Sequence, residues 1–292
     1  GTGSGCAPLL VNRLQKMFPQ KIIIFYGILP KNSEAPQAQF NTLECLKEVT
    51  NKKSPMTYML ADLASYENDA AEVAYEKICN YIANTMCVLR GDTMHESPYG
   101  MIDENDLVTI IGEPGYMAVY TISNVTQTEL EKSTSQRLLI RQIQESPTCR
   151  IQMDKKVMKM GIIIDAPSSI EDASKSANFA ELEAYTGTPL DAFMNYSIST
   201  TGRGSISLIM SGCSAPMDRI ADCTDIANKA RAQFEDTNET TVADEIDVLD
   251  FMIDRKSHNV VAAKTRALNA NRANPASTVA SIADDIDNDI FG

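Results

Sequence analysis

The chain has 292 residues, 43% hydrophobic and 22% charged, enough for about two domains that each bury a core. Its 39 acidic against 26 basic side chains leave a net charge of −13 and an isoelectric point near 4.7, which disfavours direct contact with phosphate backbones and anionic membranes. The longest apolar run, Ile22–Leu29, is far too short for a bilayer span, and no basic-then-apolar leader opens the sequence. Seven cysteines without a C-x-x-C pair point to reduced thiols and a cytoplasmic location. Two histidines, His95 and His258, are too few for a histidine metal site or triad.

In chain order, Gly1-Thr2-Gly3-Ser4-Gly5 reads as a glycine-rich loop opening a helix. Leu10, Leu14, Met17 and Phe18 follow at helical spacing, and Pro8 is tolerable in a first turn. Lys21–Leu29 reads as a buried parallel strand stopped by Pro30, Gln37–Val49 as a helix, and Thr57–Leu60 as a short strand. Asp69–Leu89 is a long helix whose stripe of Ala71, Ala74, Ile78, Ile82 and Met86 is wide enough for burial on more than one side. This order is the second half of a Rossmann-like layered domain.

Residues 91–102 mark a boundary. Beyond it the sequence predicts a helix over Asp103–Ile111, a strand over Tyr116–Ile122 and a helix over Gln127–Gln144. A strand over Val157–Ile164 and a helix over Ser169–Tyr185 come next. Strands over Ala192–Thr200 and Gly204–Ser211 then read as a hairpin turned at Gly202-Arg203-Gly204. The remainder is helical, Met217–Phe234 and Val242–Asn271. Eight acids and no base fall in 235–254, five bases and no acid in 255–275, and four Asp in 276–292, so 235–292 carries a net −7. The expected division is residues 1–90, 91–215 and 216–292.

Two constellations carry chemistry. The backbone N–H groups of Gly1–Gly5 converge, with the helix dipole, where a phosphate would sit; a tight flexible turn explains the composition equally well. No Gly-Lys-Ser/Thr or G-x-G-x-x-G pattern accompanies it. Asp103 and Asp106 share one face of a helix start, where carboxylates either orient a water near a metal–phosphate group or simply cap the helix.

Together these segments resemble the tubulin/FtsZ superfamily. Gly1–Gly5 match the second part of its G-G-G-T-G-S-G phosphate loop, and Asp103–Ile110 its D-F-A-D-V-K-T-I segment. Gly115–Ala118 match G-Y-A-M, Ser146-Pro147 the S-P before the next strand, and Gly161–Ile164 G-V-L-V. The resemblance covers about residues 1–235. It implies an α/β fold in which a Rossmann-like GTPase domain, a long central helix, a second α/β activation domain, and C-terminal helices with an acidic tail follow one another.

The resemblance further implies GTP or GDP with Mg2+ bound on Gly1, Thr2, Gly3, Ser4 and Gly5. Asp106 and Asp103 would position water on the nucleotide of the next subunit in a head-to-tail filament. Glu34 stands where the family contacts ribose, although a solvated loop acid fits as well. Tyr75 stands near the guanine-reading position, for stacking or as a core tyrosine, and no asparagine matches there. Met101 replaces an asparagine of the FtsZ loop. No metal-ligand cluster of the protein's own is expected.

Two C-terminal helices and the tail Asp284–Asp289, with Ile286, Ile290 and Phe291, resemble TubZ-type plasmid tubulins and phage tubulins. That similarity implies a tail docked on a neighbouring subunit, DNA reached only through an adaptor, and no membrane partner; a solvated tail is the other reading. The expected function is GTP-dependent filament assembly in plasmid or phage DNA positioning. An ordinary Rossmann-type metabolic enzyme and a non-hydrolysing structural paralogue are the alternatives. Because the sequence starts inside the phosphate-loop motif, roughly a hundred further residues are expected upstream, and the 292 residues alone are expected to bind GTP poorly.

Overall fold

The computed structural model describes residues 2–50, 56–91, 102–132, 135–146, 151–152, 154, 156–168 and 179–241. Gly1, Met101, most of the helix expected over 169–185, the helix expected over 242–271 and the acidic tail lie outside the described residues. Residues 1–231 form one compact unit and 232–292 a second.

The first unit is built on one six-stranded sheet, in the order β1-β2-β3-β6-β4-β5. Helix α1 (Thr2–Met17) leads to β1 (Ile24–Leu29), α2 (Pro36–Thr50) and β2 (Thr57–Asp62), which pairs in parallel with β1. A 3-10 turn, Leu63–Tyr66, enters α3 (Ala71–Leu89). After α4 (Glu104–Ile111), β3 (Gly115–Val125) adds in parallel to β2 through Thr57–Gly115 and Tyr58–Tyr116. Helices α5 (Gln127–Lys132) and α6 (Ser135–Glu145) stand where one helix is expected. Then come β4 (Lys159–Ala166), α7 (Ala180–Thr186), β5 (Asp191–Ile198), β6 (Gly204–Cys213) and α8 (Met217–Thr241). The sheet runs without interruption past residue 91, where the sequence marks a boundary.

Both faces of the sheet are covered, which explains the near-continuous apolar runs of β3, β4 and β6. Tyr116, Ala118, Tyr120, Met160, Ile162 and Leu208 face one core with Leu139 and Leu182. Met117, Val119, Ile163 and Ile209 face the other, with Val88, Leu107 and Ile110. A methyl at Gly161 would meet Ile110 Cδ1 at 2.7 Å, so this glycine lets α4 lie close on β4.

Several expectations need correction. Thr2–Gly5 are helical rather than a loop, because α1 begins at Thr2; α1 packs on α2 and buries Pro8 and Val11. Pro8 lies a turn deeper than a first turn. The face expected to be α1's buried one, Leu10, Leu14 and Met17, is exposed, as is Phe18 just beyond it. Strand β1 is an edge strand and only half-buried, because it has a partner on one side alone. Helix α3 buries a single stripe, Ala74, Ile78, Thr85 and Val88, and leaves Val73, Tyr75 and Met86 exposed.

The hairpin is not formed either. β4 pairs with β5 in parallel on one edge and with β6 antiparallel on the other, so residues 199–203 carry the chain across β4. A strand buried as fully as β4 needs a partner on each edge to satisfy its backbone. Gly202 takes a left-handed φ of +69° in that connection.

Candidate functional site

In parallel α/β sheets, ligands bind outside the carboxyl ends of the strands, where the loops into the following helices gather. Here those ends are Leu29-Pro30 and Asp62. Helix α2 must return the chain from the end of β1 to the start of β2, and α3 leaves from the end of β2. Helix α1, about 24 Å long, connects through residues 18–23 to the start of β1. This connectivity, with the ties between residues 31–33 and 67–69, puts the loop with Glu34 and the start of α3, which carries Tyr75, together at the carboxyl ends of β1 and β2, while α1 packs on α2.

Each sequence-predicted residue has a definite setting. Thr2, Gly3, Ser4 and Gly5 form the first turns of α1, where helix N–H groups lack intrahelical acceptors. A methyl built on Gly3 or Gly5 meets nothing within 4 Å, so neither glycine is packed at its Cα against the described residues. Glu34 Oε1 accepts the Lys31 N–H at 3.1 Å, which closes its own loop. Tyr75 is 48% exposed, so its ring is not a core residue and presents a flat face to solvent.

The two loops are cross-tied by side chains that sequence reasoning missed. The Lys31 ammonium donates to the carbonyls of Asp69 (2.7 Å) and Glu67 (3.4 Å), and the Glu67 carboxylate accepts the N–H groups of Asn32 and Ser33, both at 2.8 Å. Gln39, fully buried, donates to the Lys31 carbonyl at 2.6 Å. Burial works against the charge on Glu67. The Ser33 hydroxyl, the two N–H groups and the Lys31 ammonium outweigh it and hold the carboxyl below its ordinary range.

Below them lies a buried ion pair. Arg219 of α8 donates through Nε to Asp62 Oδ1 at 3.0 Å, through Nη2 to the Pro30 carbonyl at 2.5 Å and through Nη1 to Cys223 Sγ at 3.0 Å. Asp62 Oδ1 also accepts the Ala64 N–H, which caps the 3-10 turn. The only cue in the sequence is an acid directly after an apolar strand.

Asp103 and Asp106 lie apart from this group. Helix α3 is about 28 Å long and carries the chain away from Asp62 before residues 92–103 lead into α4. The far end of α4 abuts the start of β2, where Thr57 Oγ1 donates to the carbonyls of Ile111 (2.8 Å) and Glu113 (3.1 Å). The two acids form a reciprocal capping box: Asp103 Oδ1 accepts the Asp106 N–H at 2.8 Å, and Asp106 Oδ2 accepts the Asp103 N–H at 3.2 Å. Asp103 is exposed and Asp106 half-buried. Among the described residues, no three His, Cys, Asp or Glu side chains gather as a metal site.

Among solved structures, the chain is similar to TubZ of Clostridium botulinum phage c-st, with 18% identity over 80% of this chain and 69% of that one and a TM-score of 0.59. It is also similar to the GDP-bound CetZ1 monomer from Haloferax volcanii (16%, 79% and 67%, 0.60). The GTPγS-form protofilament of Bacillus thuringiensis serovar israelensis TubZ matches as well (13%, 81% and 64%, 0.64). No family model and no curated protein sequence matches the chain.

A mixed six-stranded sheet with helices on both faces, followed by the long helix α8, makes this an α/β protein. The fold is that of the tubulin/FtsZ superfamily. Among the described residues, no helix is long and apolar enough to cross a membrane.

Proposed function

We propose that this chain is part of a guanine-nucleotide-dependent, self-assembling filament protein whose GTPase site is completed between subunits. The observation that carries this reading is the separation of the two constellations. The loop with Glu34 and the start of α3 with Tyr75 lie together at the carboxyl ends of β1 and β2, and the reading adds the α1 N-terminus with Thr2–Gly5 to them, whereas Asp103 and Asp106 start α4, beyond the far end of α3. A site made of both groups forms most simply when one subunit stacks on the next, head to tail. Relatives of the same fold bear on this: one is a GDP-bound monomer and another a GTPγS-form protofilament.

In this reading the phosphates, with Gly1 included, lie on the N-terminus of α1. The helix dipole and unsatisfied N–H groups favour negative charge there. Glu34 lies by the ribose, and the exposed Tyr75 ring stacks on the base. Mg2+ would enter with the nucleotide and would offset the charge of its phosphates. Asp106, assisted by Asp103, accepts a proton from the attacking water on the neighbouring subunit's nucleotide. The acidic tail Asp284–Asp289 docks on a neighbouring copy. DNA of a plasmid or phage is reached through an adaptor, because the chain's charge of −13 opposes direct contact.

The test is sedimentation of the intact protein with GTP, GDP or no nucleotide, with phosphate release followed in parallel. Assembly with GTP, and loss of phosphate release in Asp106→Asn, are expected. Absence of polymer under every nucleotide refutes the reading and favours a metabolic enzyme with its site in one subunit.

A further inference from the structure

We propose that Arg219 is a positioning residue. From the C-terminal helix it locks the loops after β1 and β2 into one arrangement, and so sets the surface on which the nucleotide reading places ribose and base. The inference rests on that reading for its purpose, but not for its geometry.

The guanidinium is 3% exposed and sends each of its three nitrogens to a different element. Nη2 reaches the Pro30 carbonyl, the last backbone group before the Lys31–Ala35 loop. Nε reaches Asp62 Oδ1, the oxygen that also caps the turn into α3. Nη1 reaches Cys223 one turn along its own helix. A planar, always-charged fork satisfies acceptors in separate directions at once; an ammonium on a flexible stem is a point charge and does not reproduce that spacing. Above the guanidinium, Lys31 and Glu67 tie the same two loops together a second time. One tie sits under the loops and one across them, so Glu34 on the first loop and Tyr75 on the helix after the second are spaced by a closed ring of contacts. Opening the ring at Arg219 frees both loops at their roots.

The experiment compares wild type, Arg219→Lys and Cys223→Ala by amide hydrogen exchange, resolved by residue. In Arg219→Lys, exchange at Ala64, Lys31 and the flanking loop amides rises about tenfold or more, while amides in the β3–β6 and β6–β4 ladders keep wild-type rates. Cys223→Ala, which loses only the contact within α8, stays within about twofold of wild type in the loops. Unchanged loop exchange in Arg219→Lys overturns the proposal, and so does a uniform rise across the whole sheet, which marks a merely structural ion pair. A second arm titrates a fluorescent GDP analogue. A tenfold weaker Kd for Arg219→Lys with unaltered ladder exchange supports the positioning role, and an equal Kd overturns it. Both arms use the intact protein, and if that wild type binds no guanine nucleotide, the nucleotide reading fails and the exchange result alone decides whether Arg219 ties the loops.

Discussion

Asp106 has two jobs under the proposed mechanism, and they separate by substitution. Its Oδ2 accepts the Asp103 N–H at 3.2 Å in the capping box, and its charge is assigned to the attacking water. Asp106→Asn keeps a carbonyl oxygen for the cap and removes the charge, whereas Asp106→Ala removes both. Helix α4 has only eight residues but buries Leu107, Ile110 and Ile111 in the sheet, so packing rather than the cap holds it. Loss of one exposed capping bond therefore costs about 1 kcal/mol. The missing charge at the helix N-terminus adds about 0.3–1 kcal/mol in either variant. For a unit of this size that is a drop in Tm of roughly 3–8 °C for Ala and about 1–4 °C for Asn. Loss of a positioned acid–base group costs about 10²–10⁴-fold in rate, a far larger effect. Thermal melts should thus rank the variants wild type, Asn, Ala. Phosphate release should fall equally in both variants, and polymer should persist longer with GTP. Release by Asp106→Asn at the wild-type rate refutes the catalytic assignment and leaves Asp106 a cap.

Further expectations follow from other parts of the structure. Tyr75→Ala removes a half-exposed ring, so its Tm should stay within about 1 °C of wild type, while loss of base stacking worth about 1–3 kcal/mol weakens nucleotide binding roughly 5- to 150-fold by fluorescence titration. Gly212→Ala should lower stability by at least about 1 kcal/mol in urea melts, because residue 212 has φ +66° and its new methyl would run into the Met158 side chain. The Glu67 carboxyl is held below its ordinary value of 4.5, so its stabilising contacts are fully present above that pH and are lost as pH falls through the lowered folded value. Amide shifts of Asn32 and Ser33 should therefore move together below about pH 4.5, and Glu67→Gln should remove that transition. Burial pushes the Tyr196 hydroxyl up to about 12 from 10.0, so its neutral form stabilises the fold below pH 10 and the contribution disappears as pH rises toward 12; alkaline absorbance titration should show this tyrosine ionising last or only with unfolding.

Much of this architecture is written locally. The i, i+4 stripe of Ala74 and Ile78, the acid pair that opens α4 and the Ile-rich run of β4 each declare their element over a handful of residues, and the structure has them within a few positions. The resemblance across residues 1–235 also rests on short local motifs, and the solved structures that share the fold match at only 13–19% identity. The candidate site was half legible for the same reason: glycines and acids advertise chemistry by type, and Tyr75 and Glu34 came only with the resemblance.

What stayed hidden depends on which segments meet. Gly202-Arg203-Gly204 has the composition of a hairpin, yet β4 inserts between β5 and β6, because pairing is decided by the edges a fully buried strand must fill. The helical state of Thr2–Gly5 runs against glycine's preference by about 1 kcal/mol per residue and is sustained by packing of α1 on α2. Arg219 and Asp62 are 157 residues apart in the chain, and neither looks unusual beside its neighbours. Periodicity and motif fix an element's kind and a residue's chemistry, since both arise from a few adjacent side chains. Strand order, which apolar faces are left uncovered and which charge is buried against which follow from long-range packing, and those only the folded chain decides.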